Sequence, residues 1–391
     1  MLMSVRSSLR KTALALAILL SGHFLTAETS ELVVKFIKGN ISDKTSVIRS
    51  AEYSEKAVLA EMGLDFLDDN AQILADDRDL SALGVASVFS LSKDSDRKDI
   101  ILKKLVSVFR KCQDTNVRSV ILDRLPDFSA DEAEREMSRE LVGWFLESEG
   151  EKPVVLVKNS FDALGKIGNQ ESLGLLFGKY VSEDELQHEQ ELGKALIALM
   201  NEYKEETLVL ISETEISKIS KIFDLVKNSS EITKNYQMDI VENALSLTLY
   251  NMENQEDFSE EGVALQLRLV EFIAGEDWSH ATDLVAWNFS VAKKEYDAEA
   301  LCEDDFIKTI RFTSALKSPK ISSAFSECLA GFNKSVSNES RPSETVVLAL
   351  IKSLGDLGDK TAFDNLLCVT YLDYSEEVVN AARLALASLK W

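Results

Sequence analysis

Proline is scarce in this chain, with four residues in 391, and glycine is held to sixteen. Proline removes a backbone donor and glycine resists being fixed, so both interrupt helices. Their scarcity suits a mostly helical protein and argues against long disordered linkers; no low-complexity segment is present. Cysteine is confined to Cys112, Cys302, Cys328 and Cys368, with no close pairs. Each lies in or beside an apolar helical face and reads as a buried free thiol, although Cys302 and Cys328 could pair in an oxidising compartment if neighbouring helices presented them.

Histidine is nearly missing too. Beyond the first 27 residues only His188 and His280 remain, which leaves imidazole catalysis and zinc binding little to work with. There is no Gly-x-Ser-x-Gly elbow, no glycine-rich phosphate loop with lysine, no His-Glu-x-x-His and no calcium loop. The acidic clusters Asp68-Asp69 and Glu303-Asp304-Asp305 lack the glycine and alternate spacing of a calcium loop and read as solvated helix ends. Five Asn-x-Ser triplets, at Asn40, Asn228, Asn288, Asn333 and Asn338, read as chance occurrences.

What is abundant is apolar residues and negative charge. Hydrophobic residues make up 45% and charged residues 28%, with 66 acidic against 43 basic side chains and a formal net charge of −23. Such a charge repels phosphate backbones and anionic lipid, so the expectation is no nucleic-acid partner. The first 27 residues have the form of a secretory signal peptide: Arg6, Arg10 and Lys11, an apolar run from Ala13 to Leu20, and Leu25-Thr26-Ala27 before Glu28. That run is shorter than the about 20 residues a membrane span requires. No cysteine follows it that would carry a lipid, so the expectation is cleavage after Ala27 and a periplasmic or secreted protein without a membrane span.

The clearest pattern lies at Ser343 to Trp391. Val347, Leu350, Ile351 and Leu354 fall at helical spacing on one face. Gly358 can take the left-handed conformation that ends a helix, and Asp359 can cap a second helix carrying Phe363, Leu366, Leu367 and Thr370. The first helix then returns. Ser343-Glu344 matches Ser375-Glu376, Val346-Val347 matches Val378-Val379, Ala349 matches Ala381 and Leu354 matches Leu386, at an offset of 32. A fixed offset of this size predicts stacked helical hairpins, each needing a neighbour to complete its core.

Earlier segments carry the same signature less regularly. Residues 28–70 read as an N-terminal cap with helices at Leu32 to Lys38 and Ser54 to Leu67. Leu80 to Leu91 pairs with Ile100 to Cys112, Asn116 to Leu125 stops at Pro126 before Asp131 to Leu146, and Pro153 to Tyr180 holds another pair. Shifting by 190 lays Ala163-Leu164-Gly165-Lys166-Ile167-Gly168-Asn169 on Ser353-Leu354-Gly355-Asp356-Leu357-Gly358-Asp359. Leu192 to Met200 and Glu206 to Ile211 follow. The chain thus reads as a single α-solenoid over 28–391, regular at 80–211 and 343–391 and irregular at 215–335, with unequal units of about 30 to 45 residues. Helical stripes persist in the irregular part, but short turns do not. The fold class expected is all-α: a superhelix of stacked antiparallel helix pairs, of the HEAT/armadillo-like kind.

The pattern (A/S)-L-G-x-(L/I)-G-(N/D) at Ala163 to Leu176 and Ser353 to Leu367 resembles HEAT-like repeats of the type named after phycobilisome lyases. Val117-Arg118 is similar to the Val-Arg that opens such repeats, whereas Val346 and Val378 are followed by valine. The resemblance covers about 80 residues, and its motif residues are structural. It implies an α-solenoid with a binding surface and no particular reaction. Some relatives of such repeats act on tetrapyrroles or damaged DNA, which the acidic charge and export signal weigh against.

Two groups stand out as candidate contacts. Basic residues are dense from Arg97 to Arg124, where Lys103, Lys104, Arg110, Lys111 and Arg118 could form a ridge for an acidic protein partner or could pair with neighbouring acidic helices. Trp278 and Trp287, near Phe289, could anchor a partner or fill gaps between unequal helices. Asp277, His280 and Asp283 share a three-residue step that could serve a metal, but a helix start at Asp277 or Ser279 explains them more simply. The resulting expectation is an exported, non-catalytic scaffold that binds a protein partner, with no cofactor and no metal. A structural subunit of an envelope complex, or a HEAT-type lyase or ligand-binding protein, are the alternatives.

Overall fold

The computed structural model describes residues 30–72, 78–182, 188–253, 258–338 and 341–390; the expected signal peptide and Trp391 lie outside them. Among the described residues there are 20 α-helices and no β-strand. The protein is all-α and solenoid-like, and it divides into two compact units, Met1–Gly168 and Asn169–Trp391.

In the first unit, α1 (Glu31–Lys38), α2 (Ile41–Ser50), α3 (Tyr53–Asn70), α4 (Arg78–Ser90), α5 (Lys98–Lys111), α6 (Thr115–Arg124), α7 (Glu132–Glu147) and α8 (Val154–Ile167) succeed one another. Each packs on its chain neighbour and on the helix after next, so α2, α4, α6 and α8 form one layer and α3, α5 and α7 the other. The apolar spacing dictates this. In α5, Ile101, Leu102, Leu105, Val106, Val108 and Phe109 are all buried, a stripe wide enough to need more than one neighbour. Helix starts are marked chemically: Asn40 and Asp43 form a capping box on α2, Asp131 and Glu134 another on α7, and Asp114 caps α6. The stop expected at Pro126 is a 3-10 turn, Leu125–Phe128.

Helix α2 was not expected from the sequence, because ISDKTSVIRS has no apolar stripe. Its interior face includes Lys44, whose stem is buried while its ammonium donates to Gly39 O at 2.8 Å and Phe36 O at 2.5 Å. A lysine here closes the carboxyl end of α1 and lies 4.9 Å from the Phe36 ring centroid.

The second unit comprises α9 (Gln170–Ser182), α10 (Glu189–Glu202), α11 (Lys204–Ser212), α12 (Ile216–Lys227), α13 (Lys234–Glu253), α14 (Glu260–Gly275), α15 (Thr282–Asp297), α16 (Glu303–Ala315), α17 (Pro319–Ser337), α18 (Glu344–Leu357), α19 (Phe363–Val369) and α20 (Glu376–Ser388). The same alternation holds from α11 onward: α12, α14, α16, α18 and α20 in one layer, α11, α13, α15, α17 and α19 in the other. The described residues of 215–335 therefore follow the stacking rule, with some longer helices. α13 has 20 residues and α17 has 19, against 14 in α18. Phe289, Phe306 and Phe325 fill the wider space between α15, α16 and α17, with Phe289 centroids 5.9 Å and 4.6 Å from the other two.

Turns differ between the two kinds of pair. After α18, Gly358 sits at φ 67°, its N–H bonded to Leu354 O, and Asp359 accepts from Thr361 N at 2.9 Å. The turn read from the sequence is thus formed, and Lys390 N donates back to Gly358 O at 2.7 Å. The matching Gly168 is instead extended, at φ −65° and ψ 169°. After α14, α15 and α16 the left-handed position is held by Asp277, Glu299 and Lys317, at φ 50°, 61° and 43°. Asp277 consequently ends α14 and does not cap the next helix, which begins through a 3-10 turn at Ser279–Ala281 with no side-chain cap.

Gly358→Ala forces a Cβ into the left-handed region and is expected to cost about 1–2 kcal/mol, read as a lower urea midpoint at unchanged slope. Gly168→Ala escapes that penalty.

Candidate functional site

The basic stretch is woven into the first unit. Arg97 pairs with Glu61 at 2.9 Å, Lys104 with Asp65, and Lys111 with Asp68 at 2.6 Å, so α5 and the residue before it are tied to α3 by one cation at every second turn. Arg118 donates from Nε to Phe109 O at 3.0 Å and lies over the Phe109 ring, and Arg124 donates to Phe89 O and Leu91 O at 2.8 Å each. Arg110 stands over the half-exposed Trp144 ring. Lys103 reaches Asp99 on its own helix at 3.4 Å. Of the five basic residues singled out above, Lys103 and Arg110 are exposed, and Lys104, Lys111 and Arg118 are half-buried within these contacts.

Asp68 is the hub of that seam. Its carboxylate accepts from Lys111 Nζ and from Ser107 Oγ, both at 2.6 Å. Partial burial pushes its pKa up, but the bonds from Lys111 and Ser107 and the charges of Lys111 and Lys104 outweigh it and hold the carboxyl below its ordinary 3.8.

Trp278 and Trp287 are half-buried and engaged through their indole N–H groups, Trp278 to Glu242 at 2.5 Å and Trp287 to Glu253 at 3.0 Å. Both bonds tie α15 or its leading turn to α13. His280 lies against the Trp278 ring, and Asp283 pairs with Lys320 at 2.8 Å, so Asp277, His280 and Asp283 do not converge. Among the described residues no group of three His, Cys, Asp or Glu side chains could hold a metal ion. All four thiols are free; Cys112 is buried as expected, whereas Cys302 and Cys368 are exposed. Asn288 and Asn333 are buried and inaccessible to modification.

A groove that was not among the expected sites opens at the start of the second unit. There the alternation lapses: α9 packs against α10, α11 and α12 together. Between α9, α10, α12 and the turn after α12 lies a groove of about 620 Å³. Its apolar side is Gly193, Ile197 and Leu225; a Cβ at Gly193 would come within 2.9 Å of Leu225 Cδ1, so glycine permits the close approach of α10 to α12 here. Its polar side carries Glu189, Asp224 and Glu231 against the single cation Lys194. Tyr180, buried, also lines the groove and faces Glu189. Burial, then the Glu189 and Asp224 charges, push its pKa up to about 12, so it stays a neutral donor. Asp224 is also paired with Arg268 of α14. This lining could accept a cationic or amine-bearing group along the carboxylates with an apolar stem on Ile197 and Leu225.

Comparison with known protein families and with curated proteins gives no significant match to this chain. The fold and the groove geometry are therefore what a functional reading has to stand on. The groove residues were missed because they are scattered over four elements and carry no motif. The one usable hint was Gly193 inside an otherwise regular helical stripe, a mark of close approach.

Removing the Asp68 charge by Asp68→Asn is expected to lower stability by about 1 kcal/mol. Because the folded-state pKa is depressed, this contribution is present above 3.8 and is lost as pH falls through the folded value. Acid titrations of unfolding should show a shallower low-pH limb in the variant than in the wild type.

Proposed function

We propose that this chain is a non-catalytic binding scaffold, exported as its leader reads, whose second unit holds a basic segment of a protein partner in the α9–α10–α12 groove. The observation that carries this is the groove itself, a lapse in the helix stacking of the second unit, walled by three carboxylates and one lysine. A stacked scaffold keeps such a groove preformed, so little ordering cost accompanies binding. Specificity would come from charge and from the Tyr180 hydroxyl. Among the described residues no helix is long and apolar enough to cross a membrane.

The sequence-derived contact candidates form a second, weaker docking reading. Lys103 and Arg110 are exposed and could meet an acidic partner, whereas Lys104, Lys111, Arg118, Trp278 and Trp287 already bridge neighbouring helices. Their loss would be expected to act first on stability.

Fluorescence anisotropy with a lysine-rich peptide and a glutamate-rich control, added to residues 28–391, tests the groove. Binding is expected for the basic peptide alone, to weaken with salt, and to weaken by about tenfold or more in Glu189→Gln/Glu231→Gln. Lys103→Glu should leave it unchanged. Binding of the acidic peptide that Lys103→Glu abolishes would instead favour the basic ridge, and basic-peptide binding indifferent to the groove variants would remove the groove from the proposal.

A further inference from the structure

Glu295 lies near the end of α15 with 1% of its surface exposed, and among the described residues it is the one carboxyl so deeply buried. Its neighbour is Gln266 of α14, itself 3% exposed. Gln266 Nε2 donates to Glu295 Oε1 at 2.6 Å, while Gln266 Oε1, also buried, has no donor. An amide facing a carboxylate in this way leaves an acceptor opposite acceptors. A buried acceptor without a partner is costly, and so is a buried charge without a counter-charge. One proton on the carboxyl removes both difficulties.

We propose that Glu295 is held as the neutral acid and that its Oε2–H donates to Gln266 Oε1, closing a two-point acid–amide clasp between α14 and α15. The bond formed is a hydrogen bond, and the proton comes from and returns to solvent. In the ionised form the clasp keeps only the Nε2–H donation and sets a carboxylate oxygen against the amide oxygen.

No charged neighbour offers Glu295 an alternative. From α13, Glu253 meets Lys294 and the Trp287 indole, and Glu242 meets the Trp278 indole. From α14, Arg268 pairs with Asp224 and Glu276 with Lys234. From α16, Asp305 pairs with Lys308, and Glu303 accepts from Thr345. From α17, Lys320 pairs with Asp283 and Cys328 faces Lys293 and Asp297. On α15 itself, Lys293 pairs with Asp297, and Tyr296 faces Glu303 and Asp297. Burial, opposed only by the Gln266 bond, sets the direction for Glu295: its pKa lies above the ordinary 4.5.

A raised folded-state pKa means the folded chain holds this proton more tightly than the unfolded one. The clasp's contribution is therefore complete below 4.5 and is lost as pH rises from there through the folded value. The device makes the α14–α15 hairpin firmer in acid, opposite in sign to the Asp68 seam of the first unit. It is independent of the proposed groove and survives if that reading fails.

The test compares wild type with Glu295→Gln, which mimics the neutral acid, in urea unfolding at a series of pH values. The wild-type folding constant should fall by up to about tenfold per pH unit within the window, and the variant should lack that fall. Carboxyl-carbon NMR of wild type labelled at glutamate Cδ provides a reading that does not depend on the variant folding: one glutamate should titrate above the ordinary range, and Gln266→Leu should move it. Superposed stability profiles for wild type and Glu295→Gln, or glutamate resonances that all titrate in the ordinary range, overturn the proposal.

Discussion

A helix pair whose apolar stripe is wider than one partner can cover is the constraint on which this structure depends. α5 shows it in the first unit, with six buried apolar residues over 14, and α18 in the second, where Val346, Val347, Leu350, Ile351 and Leu354 are all fully buried. Neither stripe can be dried by a single neighbour. Packing on both the next helix and the one after satisfies it, and repetition of that rule produces two layers. Within each unit, everything else is an adjustment to this demand.

Polar side chains make the stack specific. They bridge one pair to the next across about one repeat of chain: Arg97 to Glu61, Asn159 to Ser119, Asn333 to Asn365, Tyr374 to Asn333. Many of these bonds end on carbonyls at helix ends, as Arg139 does on Ile167 O and Lys44 on Phe36 O. The acidic excess of the chain fits this use, since Arg97, Lys104, Arg110, Lys111, Arg118 and Arg124 each find a carboxylate, carbonyl or ring on an adjacent helix. Charge that looks like a patch in the sequence becomes mortar in the fold.

What was legible in the sequence and what was not divides along physical lines. Apolar periodicity showed most helices, and the all-α class followed from it. The turn at Gly358 was readable because a left-handed residue without strain must be glycine. The turns after α14, α15 and α16 were not, because there the helices impose the conformation on Asp277, Glu299 and Lys317. The sequence repeat fades where packing replaces the turn residue as the determinant, while the stacking continues. Helix α2 was lost for a related reason: its inward face includes a lysine whose burial makes sense only beside the end of α1. The groove left no more trace than Gly193, because it is made by a lapse in packing. Its acidic wall comes from residues far apart in the chain, none distinguishable from other surface carboxylates.

The polar bridges between pairs have a kinetic side. Those cited above join residues 28 to 41 positions apart, apart from the eight-residue step of Lys44. Such contacts close short loops, so assembly needs no search across the length of a unit. A hairpin with a self-sufficient turn, such as α18–α19, is a natural place for structure to begin. The segments whose turns are dictated by their neighbours can then be laid down only against a pair already formed, giving growth an order that runs outward along the stack.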